Sequence, residues 1–196
     1  MLDQNLNELD SDHQFKHEED FFKSIYLDFY PNLIVFANGY VKQISIAEDI
    51  VEDVFIKLWQ SRSTIYAIKN LKLYLYVAIK NSCINHLVKQ KKMNLSFIDD
   101  LDIDIEAVVA TPEDSLITKE RVALINAEIE KLPKKCKAIF ILVKEEGFKY
   151  NEVAVLLNLS VKTIEAQMSI AFKKLAIAFK EEFHTTFLKA RQKKSI

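Results

Sequence analysis

Apolar residues recur every three or four positions along this chain, and that period predicts a protein that is nearly all helical. The pattern is clearest over residues 47–60, AEDIVEDVFIKLWQ. Ala47, Ile50, Val51, Val54, Phe55, Leu58 and Trp59 fall on one stripe, as a helix laid against a core requires. Glu48, Asp49, Glu52 and Asp53 lie on the opposite face. A longer amphipathic segment over about 17–42 precedes it and carries Pro31, a candidate kink. The polar loop SRSTIYAIKN then leads to a third helix over about 70–92.

These three helices make a first domain, residues 17–92. From Met93 the helical period and the basic charge stop together. Residues 93–111 read as an extended acidic linker, because the carboxylates repel one another and little apolar surface can be buried. Thr111-Pro112-Glu113 reads as an N-cap with proline at the first helical position. The helix it opens stops near Lys131, ahead of Pro133, and the next, 134–146, ends at Gly147, a natural left-handed residue. Helices over 150–157 and 160–183 complete a four-helix second domain, 112–183. The predicted fold is all-α: two helical domains on a flexible linker, with an acidic disordered tail (1–16) and a basic C-terminal tail (184–196).

Two Gly and three Pro in 196 residues agree with long helices and few tight turns. No long apolar run occurs and the N-terminal stretch is acidic and polar, which predicts no transmembrane helix, signal peptide or transit peptide. Cys83 and Cys136 lack CxxC spacing and read as reduced core thiols of a cytoplasmic protein. The net charge of −1 conceals a segregation. Residues 1–22 hold seven acids and one Lys, a net of −6; 23–95 hold ten basic and five acidic side chains, +5. Residues 96–120 carry eight acids and one Lys, −7, and 130–196 fourteen basic and seven acidic, +7. Two basic blocks around an acidic spacer suggest two polyanion-binding modules.

The second basic block contains NLSVKTIEAQMSIAFKKL, residues 158–175. Ser160 can cap the last helix. Val161, Ile164, Met168, Ala171 and Leu175 then share a face that would pack on Val153, Leu156 and Leu157, leaving Lys162, Thr163, Glu165, Ala166, Gln167, Ser169 and Lys173 outward. A polar helix tip after a three-residue turn is the helix-turn-helix arrangement, which presents that tip to the major groove, with Lys173 and Lys174 further along for phosphates. An ordinary helical hairpin uses the same pattern, and the surrounding positive charge favours DNA. On the third helix Lys69, Lys72, Tyr76 and Lys80 follow helical spacing, with Asn81, Asn85, Lys89 and Lys92 on an adjacent strip; cations, an aromatic and amides suit unpaired nucleic acid. The acids of the second helix, beside Phe55 and Trp59, suit docking of a basic protein surface or a solvated face. His13 and His17 have metal-pair spacing without a third ligand, so no metal is expected. No GxGxxG, Walker, GxSxG or HExxH sequence occurs, and nothing predicts an enzyme, a cofactor or a small-molecule substrate.

Taken together, AEDIVEDVFIKLWQSR and IKNLKLYLYVAIKNSCINHLVKQKK resemble region 2 of extracytoplasmic-function (ECF) RNA polymerase sigma factors, of the FecI-like branch. LPKKCKAIFILVKEEGFKYNEVAVLLNLSVKTIEAQMSIAFKKL resembles their region 4. The resemblance implies an alternative sigma factor that binds core RNA polymerase and directs promoter recognition, DNA melting and transcription initiation. It implies that Asp49, Glu52, Asp53, Phe55 and Trp59 meet the clamp helices of the largest subunit, and that the 61–70 loop and third helix open and read the −10 element. The helix from Ser160 would read the −35 element while the domain docks on the polymerase flap, and an anti-sigma factor would hold the free protein. Lys149 departs from the family pattern, which has a small hydroxyl residue opening a capping box that Glu152 closes. Ile170 also departs, at a position that is basic or small in relatives. A stand-alone helix-turn-helix regulator would need a dimer interface and a palindromic site. A helical adaptor would keep the acidic face and show no salt-sensitive DNA affinity.

Overall fold

A computed structural model describes the backbone of residues 2–91, 105 and 116–192, and the side chains of 18–90, 105 and 123–180. The described elements are helices, in two units, Met1–Ile98 and Asp99–Ile196. The expected linker and the Thr111-Pro112 cap lie almost wholly outside these residues. No single helix among them is long and apolar enough to cross a membrane.

In the first unit the stripe read at 47–60 becomes α2, Ile44–Gln60, which buries Ala47, Ile50, Val51, Val54, Phe55 and Leu58 and leaves Trp59 half-buried. It packs on α1, Leu2–Val41, and both pack on α3, Leu71–Lys91. From α1 come Ile25, Leu33, Phe36, Ala37 and Tyr40, and from α3 Leu75, Tyr76, Ile79, Cys83 and Leu87. These positions repeat at three and four residues, so each helix turns one face inward, and each large side chain so buried contributes about 1.5–3 kcal/mol. A 3-10 turn, Arg62–Ala67, occupies most of the polar loop.

One expectation changes here. Residues 2–16 prolong α1 instead of forming a disordered tail. No Gly or Pro interrupts the chain before Pro31, and of the acids in this stretch Asp3 lies in the first turn, where the macrodipole favours it. The side chains of His13 and His17 fall outside the described residues. Pro31, the candidate kink, lies inside α1 and is exposed, so it does not end the helix.

The second unit contains α4, Leu116–Glu130; α5, Lys134–Lys144; α6, Tyr150–Leu157; and α7, Val161–Gln192. α5 is its centre, with Cys136, Ala138, Ile139, Phe140, Ile141 and Leu142 all buried, and it packs on α6 and α7. Lys137 is only 4% exposed, its ammonium 3.0 Å from the Glu130 carboxylate at the end of α4. α5 stops two residues before the predicted end, and Gly147 takes φ +72° while Phe148 N–H bonds back to the Leu142 carbonyl at 3.0 Å. Nothing lies within 4 Å of a Cβ built there, so backbone conformation and not space demands the glycine. α7 runs to Gln192, absorbing most of the stretch expected as a basic tail.

Candidate functional site

The turn between α6 and α7 is built from three local devices. Asn158 ends α6 in the left-handed region at φ 55°, and Leu159 N–H reaches the Ala154 carbonyl at 2.9 Å. Asparagine tolerates that conformation, so the turn needs no glycine. Ser160 then caps α7: its hydroxyl accepts the Thr163 N–H at 3.1 Å and shares a 2.8 Å hydrogen bond with the Thr163 hydroxyl. At the other end of α6, the Glu152 carboxylate accepts the Lys149 N–H at 2.8 Å. An ammonium has no lone pair to return, so this is half a capping box.

The chain turns by 110° between α6 and α7, within the range of helix-turn-helix motifs. Ile164, Met168, Ala171 and Leu175 are buried on α7, and Val153, Ala154 and Leu156 on α6. Val161, predicted to join that face, is the first residue of α7 and is 40% exposed. Lys162, Glu165, Ala166, Ser169 and Lys173 are exposed, with Ile170 among them; Thr163 and Gln167 are half-buried. The Ser160 and Thr163 hydroxyls are engaged with each other, and the Cys136 thiol donates to the Gln167 main-chain carbonyl at 3.2 Å, a bond that leaves the Gln167 side-chain amide out. Burial raises the Cys136 pKa, against the opposing pull of the Lys174 charge. Of the residues expected outward, Lys162, Glu165, Ala166, Ser169 and Lys173 are thus the fully exposed ones beyond the cap, with Thr163 and Gln167 at the margin.

On α3 the structure separates the expected residues. Lys69, Asn81, Asn85 and Lys89 are exposed, and Lys72 and Lys80 are half-buried. Asn70, not singled out by the spacing, caps α3 by accepting the Leu73 N–H at 3.0 Å. Tyr76 is a correction: predicted as a stacking platform on the polar strip, it is 1% exposed. Its ring lies 4.8 Å from Phe36, with the Lys72 ammonium 5.8 Å above it. Tyr76 stands three residues before Ile79 and seven before Cys83, so it belongs to the core stripe, and no base can stack on it.

On α2, Asp49, Glu52 and Asp53 are exposed as predicted. Phe55 is the second correction. It is 3% exposed, with the rings of Tyr26 at 5.0 Å and Phe22 at 6.0 Å, and is a core residue rather than a docking anchor. Trp59 remains half-open, edge-on to Phe22 at 4.9 Å. Between α1 and α2 lies a groove of about 660 Å³, bordered by Phe22, Lys23, Tyr26, Glu52, Ile56 and Trp59. Tyr30 donates to Glu52 at 3.3 Å beside it. Ile56, 54% exposed, was open to detection as an apolar residue on the charged side of α2. Among the described residues no three His, Cys, Asp or Glu side chains gather as a metal set.

Two family models match the chain: Sigma-70 region 2 over residues 25–93 and Sigma-70, region 4 over 123–175. Among relatives, RNA polymerase sigma factor SigV of Bacillus subtilis is 26% identical over 166 residues, 85% of this chain and 88% of its own length. The ECF RNA polymerase sigma-E factor of Escherichia coli is 25% identical over 130 residues, 61% of this chain and 66% of its own length. Among solved structures, the sigma factor RpoE of Bartonella quintana, in complex with the anti-sigma factor NepR, aligns with a TM-score of 0.50 at 25% identity. That alignment covers 81% of this chain and 96% of that one.

Proposed function

The chain belongs to the Sigma-70 family as an ECF sigma factor, and from that premise we propose how its two units share the work of starting transcription. The second unit reads the promoter −35 element with the first turns of α7. There Lys162 and Glu165 meet base edges, Ala166 and Ser169 fit beside them, and Lys173 holds a phosphate. Ser160 and Thr163 set the tip's geometry and Gln167 lies at its margin. The same unit docks on the polymerase flap.

The first unit binds core polymerase through Asp49, Glu52 and Asp53, with Trp59 and the α1–α2 groove as the apolar part of the contact with the clamp helices. Acids around an apolar floor give steering at the rim and affinity at the centre. The 61–70 segment and the exposed strip Lys69, Asn81, Asn85 and Lys89, flanked by Lys72 and Lys80, engage the −10 element as it opens. Phosphates pair with Lys, and amides meet unpaired bases. Specificity is supplied to a polymerase that performs the chemistry, so the protein acts as a regulatory factor in the cytoplasm, where core enzyme and DNA are. An anti-sigma factor covering these faces keeps the free protein silent, as suits a protein similar to one crystallised with such a partner.

The observation that carries this reading is the capped, exposed tip of α7 set at 110° to α6, in a chain that also matches region 2. Run-off transcription with purified core polymerase over a genomic promoter library tests it. Starts that depend on this protein and share two motifs support the reading. Absence of stimulation, with no co-elution with core enzyme, defeats it.

A further inference from the structure

The 3-10 turn Arg62–Ala67 is thinly supported by its own contacts. Ile65 is its one buried side chain, and its backbone bonds include Thr64 N–H to the Ser61 carbonyl at 2.9 Å and Ile68 N–H to the Ile65 carbonyl at 3.0 Å. Bonds of this i to i+3 type are poorer than those of an α-helix. Two side chains of α1 supplement them. The Glu18 carboxylate accepts from Arg62 Nε at 3.1 Å, with both side chains mostly shielded, at 15% and 27% exposure. One turn later, Phe21 stacks on Tyr66 with ring centroids 5.0 Å apart and planes at 16°. Glu18 and Phe21 share one face of α1, three residues apart, and Arg62 and Tyr66 stand four apart, near the two ends of the turn. Arg62 also lies over the Trp59 ring at 4.9 Å, which ties the clamp to the end of α2.

We propose that Glu18 and Phe21 are positioning residues that hold the 62–67 turn in one conformation before DNA arrives, so that the segment meets the opened promoter strand already ordered. This rests on the sigma reading for its DNA role, whereas the clamp itself is a property of the free chain. Fixing a segment in advance removes the entropy cost of ordering it at the moment of binding. A shielded ion pair and a stacked ring pair together shift the ordered population by about five- to thirty-fold.

The test compares the full-length chain with the Glu18→Gln/Phe21→Leu double variant and with Phe21→Tyr, which keeps the stack. Hydrogen exchange at the Thr64 and Ile68 amides is measured on the free proteins, with the fluorescence of Trp59, the one tryptophan, as a second reporter. Affinity for a promoter whose −10 region is pre-melted is then measured for each holoenzyme, alongside affinity for core polymerase. The expected result for the double variant is exchange faster by about five- to thirty-fold, DNA affinity lower by a similar factor, and core binding unchanged. Phe21→Tyr should match the wild type on every readout. Unchanged exchange in the double variant would overturn the clamp. Faster exchange with unchanged DNA affinity would overturn its role in promoter binding. Failure of the wild-type holoenzyme to initiate would instead remove the sigma reading, and with it the DNA role, while the exchange result still judged the clamp.

Discussion

Lys89 and Tyr76 sit on the same helix, and one rule of spacing picks out both, yet they take opposite places. Lys89 is exposed, and in its proposed role as a phosphate contact it should matter equally on any sequence. Lys89→Ala is expected to flatten the salt dependence of holoenzyme–DNA affinity by about one unit of log K against log salt, measured by anisotropy over a salt series. Tyr76→Ala should instead destabilise the first unit by about 3–5 kcal/mol, as for other large buried rings, seen as a lower denaturation midpoint without DNA. Any loss of DNA binding in that variant then reports on folding. Both misplaced aromatics, Tyr76 and Phe55, have charged neighbours along their helices, at Lys72, Lys80 and Glu52. Helical period locates a stripe to within about one residue on either edge, and an aromatic at the edge reads equally well as core or platform. Only the arrival of Phe36 from α1, and of Phe22 and Tyr26, decides it.

Helix ends divide by whether their chemistry is local. The Ser160 cap, the left-handed Gly147 and the stop ahead of Pro133 were legible because each depends on residues within one turn. The N-terminal start of α1 and the far end of α7 were not, since acidic and basic residues at opposite helix ends look like solvated tails and no breaker marks the boundary. α6 offers a test of capping. The Glu152 N–H already bonds to the Lys149 main-chain carbonyl at 3.0 Å, so Lys149→Ser would add a side-chain acceptor beside it and is expected to raise thermal stability by about 0.5–1 kcal/mol. Ser160→Ala should lower it by about 1 kcal/mol and loosen the tip of α7. Calorimetry on the full chain distinguishes the two signs. The first unit carries its own signature in pH. Burial pushes the Cys83 thiol up to about 12 and raises the Tyr40 phenol, whose loss of a proton the nearby thiol also opposes. Both folded-state pKa values lie above their ordinary ones, so the stability is fully present below about pH 9 and is lost as pH rises toward 12. Cys83 alone should cost about 2 kcal/mol by about pH 10.5, and Cys83→Ala should remove that part of the alkaline slope in denaturant titrations.

At the scale of the molecule, charge is sorted by role, with acids on the open side of α2 and cations on α3 and along α7. The two-domain helical plan was legible because two amphipathic blocks are interrupted by a stretch with no helical period, although the groove between α1 and α2 was not, since it needs two helices brought together. On the proposed assignment, polymerase binding and −35 reading rest on different units and should be separable. Asp49→Asn/Asp53→Asn removes two exposed charges whose side chains take no part in the core, so the fold is expected to stand while core-polymerase affinity falls by about 1–3 kcal/mol. Its remaining transcription should still start at the same promoters, because α7 is untouched. Glu165→Gln should do the reverse: core binding is unchanged, and preference among −35 sequences shifts by about 1–3 kcal/mol at the contacted base pair. Competition transcription on mixed promoters, beside titration of labelled core enzyme, reads both quantities for each variant. If the acidic variant bound core enzyme as tightly as the wild type, α2 would lose its assigned role. If Glu165→Gln left promoter ranking unchanged, the exposed tip of α7 would hold DNA without reading it.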